Sequence, residues 1–266
     1  MPYETILLEK DKGVASITLN IPDRLNAYSP EMGKELTAAW EDVNRDPQVR
    51  VMVLTGTGRA FCAGANLNLF REAAEHRRQT GERLPVTSGW FLQNGPLFLS
   101  QMDKPTICAI NGVAVGLGFT MAVACDLRVM ADTATMGAVF PRVGLIPEFG
   151  SSFFLPRLVG LATAMDLVLT GRIISSAEAK EIGLVNQVVP AAQLESAARS
   201  LAETIAANAP LALKLGKRAL YRSMGATLHE QVEWEALAID YLFGTEDHLE
   251  GVKAFLEKRS PHFAGK

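Results

Sequence analysis

Backbone amides, rather than reactive side chains, supply the first chemistry visible in this sequence. The run Thr106-Ile107-Cys108-Ala109-Ile110 is apolar and suited to a buried strand. It leads through Gly112, Gly116 and Gly118 into Thr120-Met121-Ala122-Val123-Ala124, a small-residue helical pattern that stops at Cys125-Asp126. The first N–H groups of a helix have no intrahelical acceptor, and the helix dipole adds partial positive charge there. Such a turn suits an oxygen that carries negative charge. A second small-residue turn, Ala63-Gly64-Ala65, follows another apolar run at residues 49–55. Two turns at the ends of neighbouring buried strands can each aim one N–H at a single carbonyl oxygen, which is what an oxyanion hole requires.

Two rivals remain open on these residues alone. Gly116-Leu117-Gly118 resembles the start of a dinucleotide fingerprint, but Met121 stands where the third glycine belongs. Alternatively, the glycines serve only close packing of strand on helix.

Side chains offer less. The loop Ile146-Pro147-Glu148-Phe149-Gly150 holds one carboxylate. Taken alone, it reads as an acid near a helix N-terminus, opposite the dipole. Its neighbours Ile146 and Phe149 are expected to raise its pKa by desolvation. Asn66 either holds a ligand group or caps the next helix. Asp126 is expected to fix a turn. Ser151-Ser152 lies outside a G-x-S-x-G elbow, which argues against a serine hydrolase.

The elements that must position these groups can be read in outline. A hairpin is expected over residues 5–20, with its turn at Asp11-Lys12-Gly13. Ser29-Pro30 opens a helix with Met32, Leu36, Ala39, Trp40 and Val43 on its buried stripe. Residues 68–105 carry a charged stretch through Arg83, then Pro85, then an apolar run. They are expected to form a helix or loop followed by a second helix, which either wall a pocket or simply pack. Strands are expected near 127–130, 136–139 and 185–189. Either serine at 151–152 can cap a helix, and Ser175-x-x-Glu178 fits a capping box. From Gln193 onward the pattern is purely helical. The expectation is an α/β core over residues 1–195 with a helical region at 196–266. No internal repeat is visible.

Composition sets limits. The chain has 266 residues, 48% hydrophobic and 21% charged, with net charge −3. It is long enough for one large core, and its charge disfavours nucleic acid as a partner. Cys62, Cys108 and Cys125 sit in or beside apolar runs without metal spacing, and read as buried thiols. The four histidines are scattered. No metal site, signal pattern or membrane-length apolar stretch is expected, so a cytoplasmic location is the default.

Five motifs in order carry a resemblance over nearly the whole chain. They are Asp23-Arg24-Leu25-Asn26-Ala27, residues 60–67 (AFCAGANL), residues 110–126, Leu155-Pro156-Arg157-Leu158-Val159-Gly160, and Gly183-Leu184-Val185. Together they resemble the crotonase (enoyl-CoA hydratase/isomerase) superfamily. The resemblance implies an α/β spiral of repeated ββα units with a C-terminal helical region used in trimer assembly, giving a homotrimer or stacked trimers. It implies a CoA thioester as ligand, CoA being part of the substrate, and no other cofactor. By position, the oxyanion donors would be the N–H groups of Ala65 and Leu117. Arg24, Leu25, Ala63 and Asn66 would line the CoA path. Gly64, Leu67, Gly116, Thr120 and Arg142 would complete the surroundings of the thioester. Phe263 and Lys266 fall near C-terminal positions that some members use to touch CoA.

Departures from the pattern point to the reaction. Hydratases of the superfamily use two glutamates, where this chain has Thr120 and Arg142. Members that shift a double bond, the Δ3,Δ2-enoyl-CoA isomerases and the ring-opening isomerases of phenylacetate breakdown, are similar in carrying an acid at the position of Glu148. The implied activity is isomerisation with Glu148 as the single base. Hydration or another enolate reaction (ring opening, decarboxylation, dehalogenation) is the alternative, and a thioester clamp without turnover is a third.

Overall fold

The computed structural model describes residues 3–82, 84 and 89–266. The positions of Arg83 and Pro85, singled out above, lie outside the described residues.

Strands β1 (Ile6–Asp11) and β2 (Val14–Leu19) pair antiparallel around Lys12 and Gly13, both at positive φ. Helix α1 (Pro30–Arg45) starts at Ser29, whose hydroxyl accepts from the Met32 N–H, and buries the expected stripe. The chain then repeats one move three times. A strand enters a large sheet, a three-residue strand enters a small one, and a helix follows. The first pass is β3 (Val51–Gly56), β4 (Ala60–Cys62) and α2 (Leu67–Thr80). After α3 (Gly89–Gln101) come β5 (Thr106–Ile110), β6 (Val113–Val115) and α4 (Leu117–Ala124). The third pass is β7 (Leu127–Ala131), β8 (Thr135–Gly137) and, beyond a 3-10 turn at Phe140–Val143, α5 (Ser151–Val159).

Helix α6 (Leu161–Thr170), β9 (Ile173–Ser175), α7 (Ser176–Glu181) and β10 (Gln187–Val189) finish the sheets. The large sheet runs β1-β2-β3-β5-β7-β10 and the small one β4-β6-β8-β9. Every neighbour pair from β2 to β10 in the large sheet is parallel. That pairing leaves the inner strands covered on both faces, and Val51–Leu54 and Thr106–Ile110 are accordingly buried throughout.

Helix α8 (Leu194–Ala206) buries Leu194, Ala198, Ala202 and Ala206 across β2, β3, β5 and β7. The expected division at residue 195 therefore falls inside a helix that covers the core sheet. Helices α9 (Pro210–Ser223), α10 (Leu228–Phe243) and α11 (Glu246–Glu257) follow. They leave Leu237, Tyr241, Phe243, Phe255 and Leu256 exposed. No helix among the described residues is long and apolar enough to cross a membrane.

Local expectations at helix starts needed correction. Helix α5 is entered through Phe149 and Gly150, at φ 56° and 69°, with Gly150 as its N-cap rather than a serine. Ser151 is its first residue, and its hydroxyl donates to the Glu148 carbonyl at 2.6 Å. At α7, Ser175 accepts from the Glu178 N–H, but the Glu178 carboxylate pairs with Arg172 at 2.6 Å instead of closing the box. A complete capping box occurs at Thr227 and Glu230.

Candidate active site

The two small-residue turns meet. Gly64 lies at φ 88°, and a Cβ there would stand 3.1 Å from the Val115 carbonyl oxygen and 3.7 Å from the Leu117 nitrogen. Gly116 lies at φ 55°, and its missing Cβ faces the Gly64 Cα at 3.5 Å. Both are conformations that glycine adopts without steric cost. Gly118 answers a different need: a Cβ there would lie 2.1 Å from the Cys62 carbonyl oxygen. The packing role and the site geometry are thus divided among the glycines.

Residues 25–28 run beside this junction. The Ala63 N–H donates to the Leu25 carbonyl at 3.0 Å, and the Tyr28 N–H donates to the Gly64 carbonyl at 2.7 Å. The Asn66 N–H donates to the Tyr28 carbonyl at 3.4 Å. Tyr28 and Ala65 form a parallel bridge in which Tyr28 bonds to residues 64 and 66, so the Ala65 N–H faces away from this segment. Neither the Ala65 N–H nor the Leu117 N–H finds an acceptor among the described residues. Leu117 is the first residue of α4, where a free N–H is expected.

Glu148 joins this group through Thr120. Thr120 is fully buried on α4, and its Oγ1 lies 3.1 Å from Glu148 Oε1 and 3.1 Å from the Leu117 carbonyl oxygen. Burial pushes the Glu148 carboxyl up to about 7, against the opposing pull of the Thr120 hydrogen bond. Ile146 is not the cause expected: it is 81% exposed. Phe149, the other apolar neighbour, is 2% exposed and tilted against Phe91 at 5.2 Å between ring centroids. A Cβ on Gly95 would stand 2.5 Å from the Phe149 ring, so this helix position must stay bare for the ring to seat. The left-handed backbone of Phe149, costing of order 1–3 kcal/mol, is held by that packing. Among the described residues the Glu148 carboxylate makes no hydrogen bond to the N-terminal amides of α5, so it does not act as the helix cap that its loop position suggests.

The other expected residues divide. Leu25, Ala63, Gly64 and Asn66 lie together beside the junction, and Arg24 is exposed in the 3-10 turn at Pro22–Arg24 just before them. The Asn66 side chain accepts from the Asn68 N–H at 3.0 Å, the capping alternative, and Leu67 opens α2 with 61% exposure. Arg142 is exposed, and its guanidinium makes no hydrogen bond or ion pair among the described residues. Phe263 packs against Gly251 of α11, and its carbonyl accepts from Arg50. The Lys266 carbonyl accepts from the Asp247 N–H at 3.1 Å. No hydrogen bond among the described residues ties either to the 63–67 turn.

Three further residues support the site. Asn26 is fully buried; its side chain accepts from the Ile21 N–H at 2.8 Å and donates to the Thr57 and Ala60 carbonyls, holding the 25–28 segment in place. Asp126 does more than fix a turn. It accepts from the Thr106 N–H at 2.7 Å, from the Tyr221 hydroxyl at 2.8 Å, and pairs with Lys217 at 2.8 Å. Arg128, nearly buried, donates to the Ala122 and Cys125 carbonyls at the C-terminal end of α4 and to Leu184. A cation there suits the negative end of the helix dipole. The signals were a polar residue inside an apolar strand pattern and an Asn in a loop, which spacing alone does not interpret.

Residues 9–266 match the family model for enoyl-CoA hydratase/isomerase. The chain is 40% identical over 268 residues, 99% of each chain, to the 1,2-epoxyphenylacetyl-CoA isomerase of Escherichia coli (strain K12). It is 38% identical over 263 residues, 98% of this chain and 99% of the other, to the (E)-benzylidenesuccinyl-CoA hydratase of Thauera aromatica. The crystal structure of an enoyl-CoA hydratase from Bacillus anthracis matches with TM-score 0.89 at 36% identity, covering 99% of this chain and 100% of that one. A hydratase and an isomerase at nearly equal identity leave the reaction to the residues of the site.

Proposed function

The chain belongs to the enoyl-CoA hydratase/isomerase (crotonase) family, and we propose that within it this protein shifts the double bond of an enoyl-CoA thioester, with Glu148 as the single base. The observation that carries this reading is the half-buried Glu148 carboxyl bonded to Thr120, on the helix whose first N–H belongs to Leu117.

The thioester carbonyl oxygen lies between the Ala65 and Leu117 N–H groups. Glu148 takes the C2 proton of a 3-enoyl thioester, and the C–H electron pair becomes the C1–C2 double bond of an enolate. The two N–H groups hold the negative oxygen, each lowering the barrier by roughly 3–4 kcal/mol. The electrons then return: C2–C3 becomes double, and the C3–C4 π pair takes the proton back from Glu148 at C4. A carboxyl that titrates near 7 both accepts and releases a proton at neutral pH, and a positioned base of this kind adds about 10²–10⁴ in rate. The scheme needs neither metal nor redox cofactor; CoA enters with the substrate. Leu25, Ala63 and Asn66, with exposed Arg24 and Leu67, border the turn and provide the path for its pantetheine arm.

Hydration asks for one group to activate water and one to deliver a proton. Thr120 and the exposed Arg142 supply no second carboxylate. Purified protein given a 3-enoyl-CoA and, separately, the 2-enoyl-CoA of the same length tests the reading. Isomerisation is expected to exceed hydration by at least about tenfold in kcat/KM, a conservative bound for losing one positioned acid–base group. Hydration at an equal or higher rate would overturn it.

A further inference from the structure

The Thr120 hydroxyl has one proton to give and two lone pairs to receive with. It is fully buried, and two oxygens lie at the same 3.1 Å distance: Glu148 Oε1 and the Leu117 carbonyl oxygen. One proton cannot serve both at once. While Glu148 is a carboxylate, it accepts from Thr120. Once Glu148 carries a proton, the acid must donate, and Thr120 can receive only if its own proton turns away. The Leu117 carbonyl is where it turns.

We infer that Thr120 is a positioning residue that works as a two-way hydrogen-bond switch, donating to the Glu148 carboxylate before proton abstraction and accepting from the Glu148 acid afterwards, with its own proton then on the Leu117 carbonyl. The inference rests on Glu148 being the base. No bond to carbon changes at Thr120; two hydrogen bonds exchange direction. In both states every buried donor has an acceptor, so neither form of the base leaves an unmatched polar group, which would otherwise cost more than a hydrogen bond returns. The titratable group that faces Glu148 from the neighbouring strand β4 is the Cys62 thiol, which burial pushes up to about 12 and which therefore stays neutral. No charged side chain bonds to Glu148 among the described residues; besides the Thr120 hydroxyl, its carboxylate receives a hydrogen bond from its own backbone N–H.

Three variants test this: T120V, which keeps the shape and removes the hydroxyl, T120A as a second apolar variant should T120V not fold, and T120S, which restores the hydroxyl. The titration of the Glu148 carboxyl is followed by infrared difference spectroscopy in the ligand-free protein, using the band missing in E148Q, and beside it the pH profile of kcat/KM on a 3-enoyl-CoA. A hydrogen bond to the charged form outweighs one to the neutral form, so T120V is expected to raise the midpoint by about one pH unit. It is expected to lower kcat by about tenfold with KM within about twofold, matching one positioned hydrogen bond of that size. T120S is expected to return both. A midpoint unmoved in T120V, or T120S behaving like T120V, would overturn the switch. A midpoint that moves in a protein that converts no 3-enoyl-CoA would uphold the hydrogen bond and overturn the isomerase reading instead.

Discussion

Glu148 carries a cost that the rest of the molecule absorbs. Its carboxyl titrates near 7 in the folded chain against an ordinary 4.5, because burial disfavours the charged form. Below pH 4.5 the group is neutral folded or unfolded and the cost is absent. As pH rises toward 7, the unfolded carboxyl ionises and the folded one does not, and folding stability falls by about 3 kcal/mol before levelling off above 7. A glutamine in place of Glu148 would be neutral throughout. E148Q is therefore expected to exceed the parent in urea-unfolding stability at about pH 8 and to match it at about pH 4; equal stability at both values would contradict a raised Glu148 carboxyl. The loop placing this residue was legible, with Gly150 and Pro147 marking it. Its contact with Thr120 was not, because nothing in the spacing links positions 28 apart. Phe149 and Ile146 are both strongly apolar, yet Phe149 is 2% exposed and Ile146 81%, a difference that residue type does not show.

At the scale of elements, the site depends on how closely α4 sits on β4. Gly118 allows that approach, with the Cys62 carbonyl 2.1 Å from where a Cβ would be. Backbone on both sides cannot yield as a side chain does, so G118A is expected to destabilise at the upper end of about 1–3 kcal/mol and to displace the Leu117 N–H. Its urea midpoint and its affinity for an acyl-CoA should fall together; a G118A protein of parental stability would show that α4 has room to spare. Long periodic elements were the readable ones: α1 with its Ser29 cap, the hairpin, the apolar β3 and α8. Three-residue strands such as β4, β6 and β8 are too short to show alternation. The start of α5 was misplaced because serine caps are the common choice, whereas here two left-handed residues turn the chain and Ser151 bonds back to Glu148.

Across the whole molecule, the strand–strand–helix move recurs three times without a visible sequence repeat. Each pass needs only a buried strand, a short second strand and a helix of any composition that fits. α2 is charged and surface-lying where α4 is buried at every position. The architecture repeats in such a design while side chains are free to differ, so the repeat was reached through resemblance rather than periodicity. The arrangement brings residues 65, 117 and 148 together from three successive passes, and we propose that they perform a single-base proton shift. Proton NMR of the protein with a 3-enoyl-CoA in deuterated buffer, beside E148Q, measures this most directly. The parent protein is expected to form the 2-enoyl product with deuterium incorporated, and E148Q to show neither conversion nor C2 exchange. Conversion that persists in E148Q would contradict it.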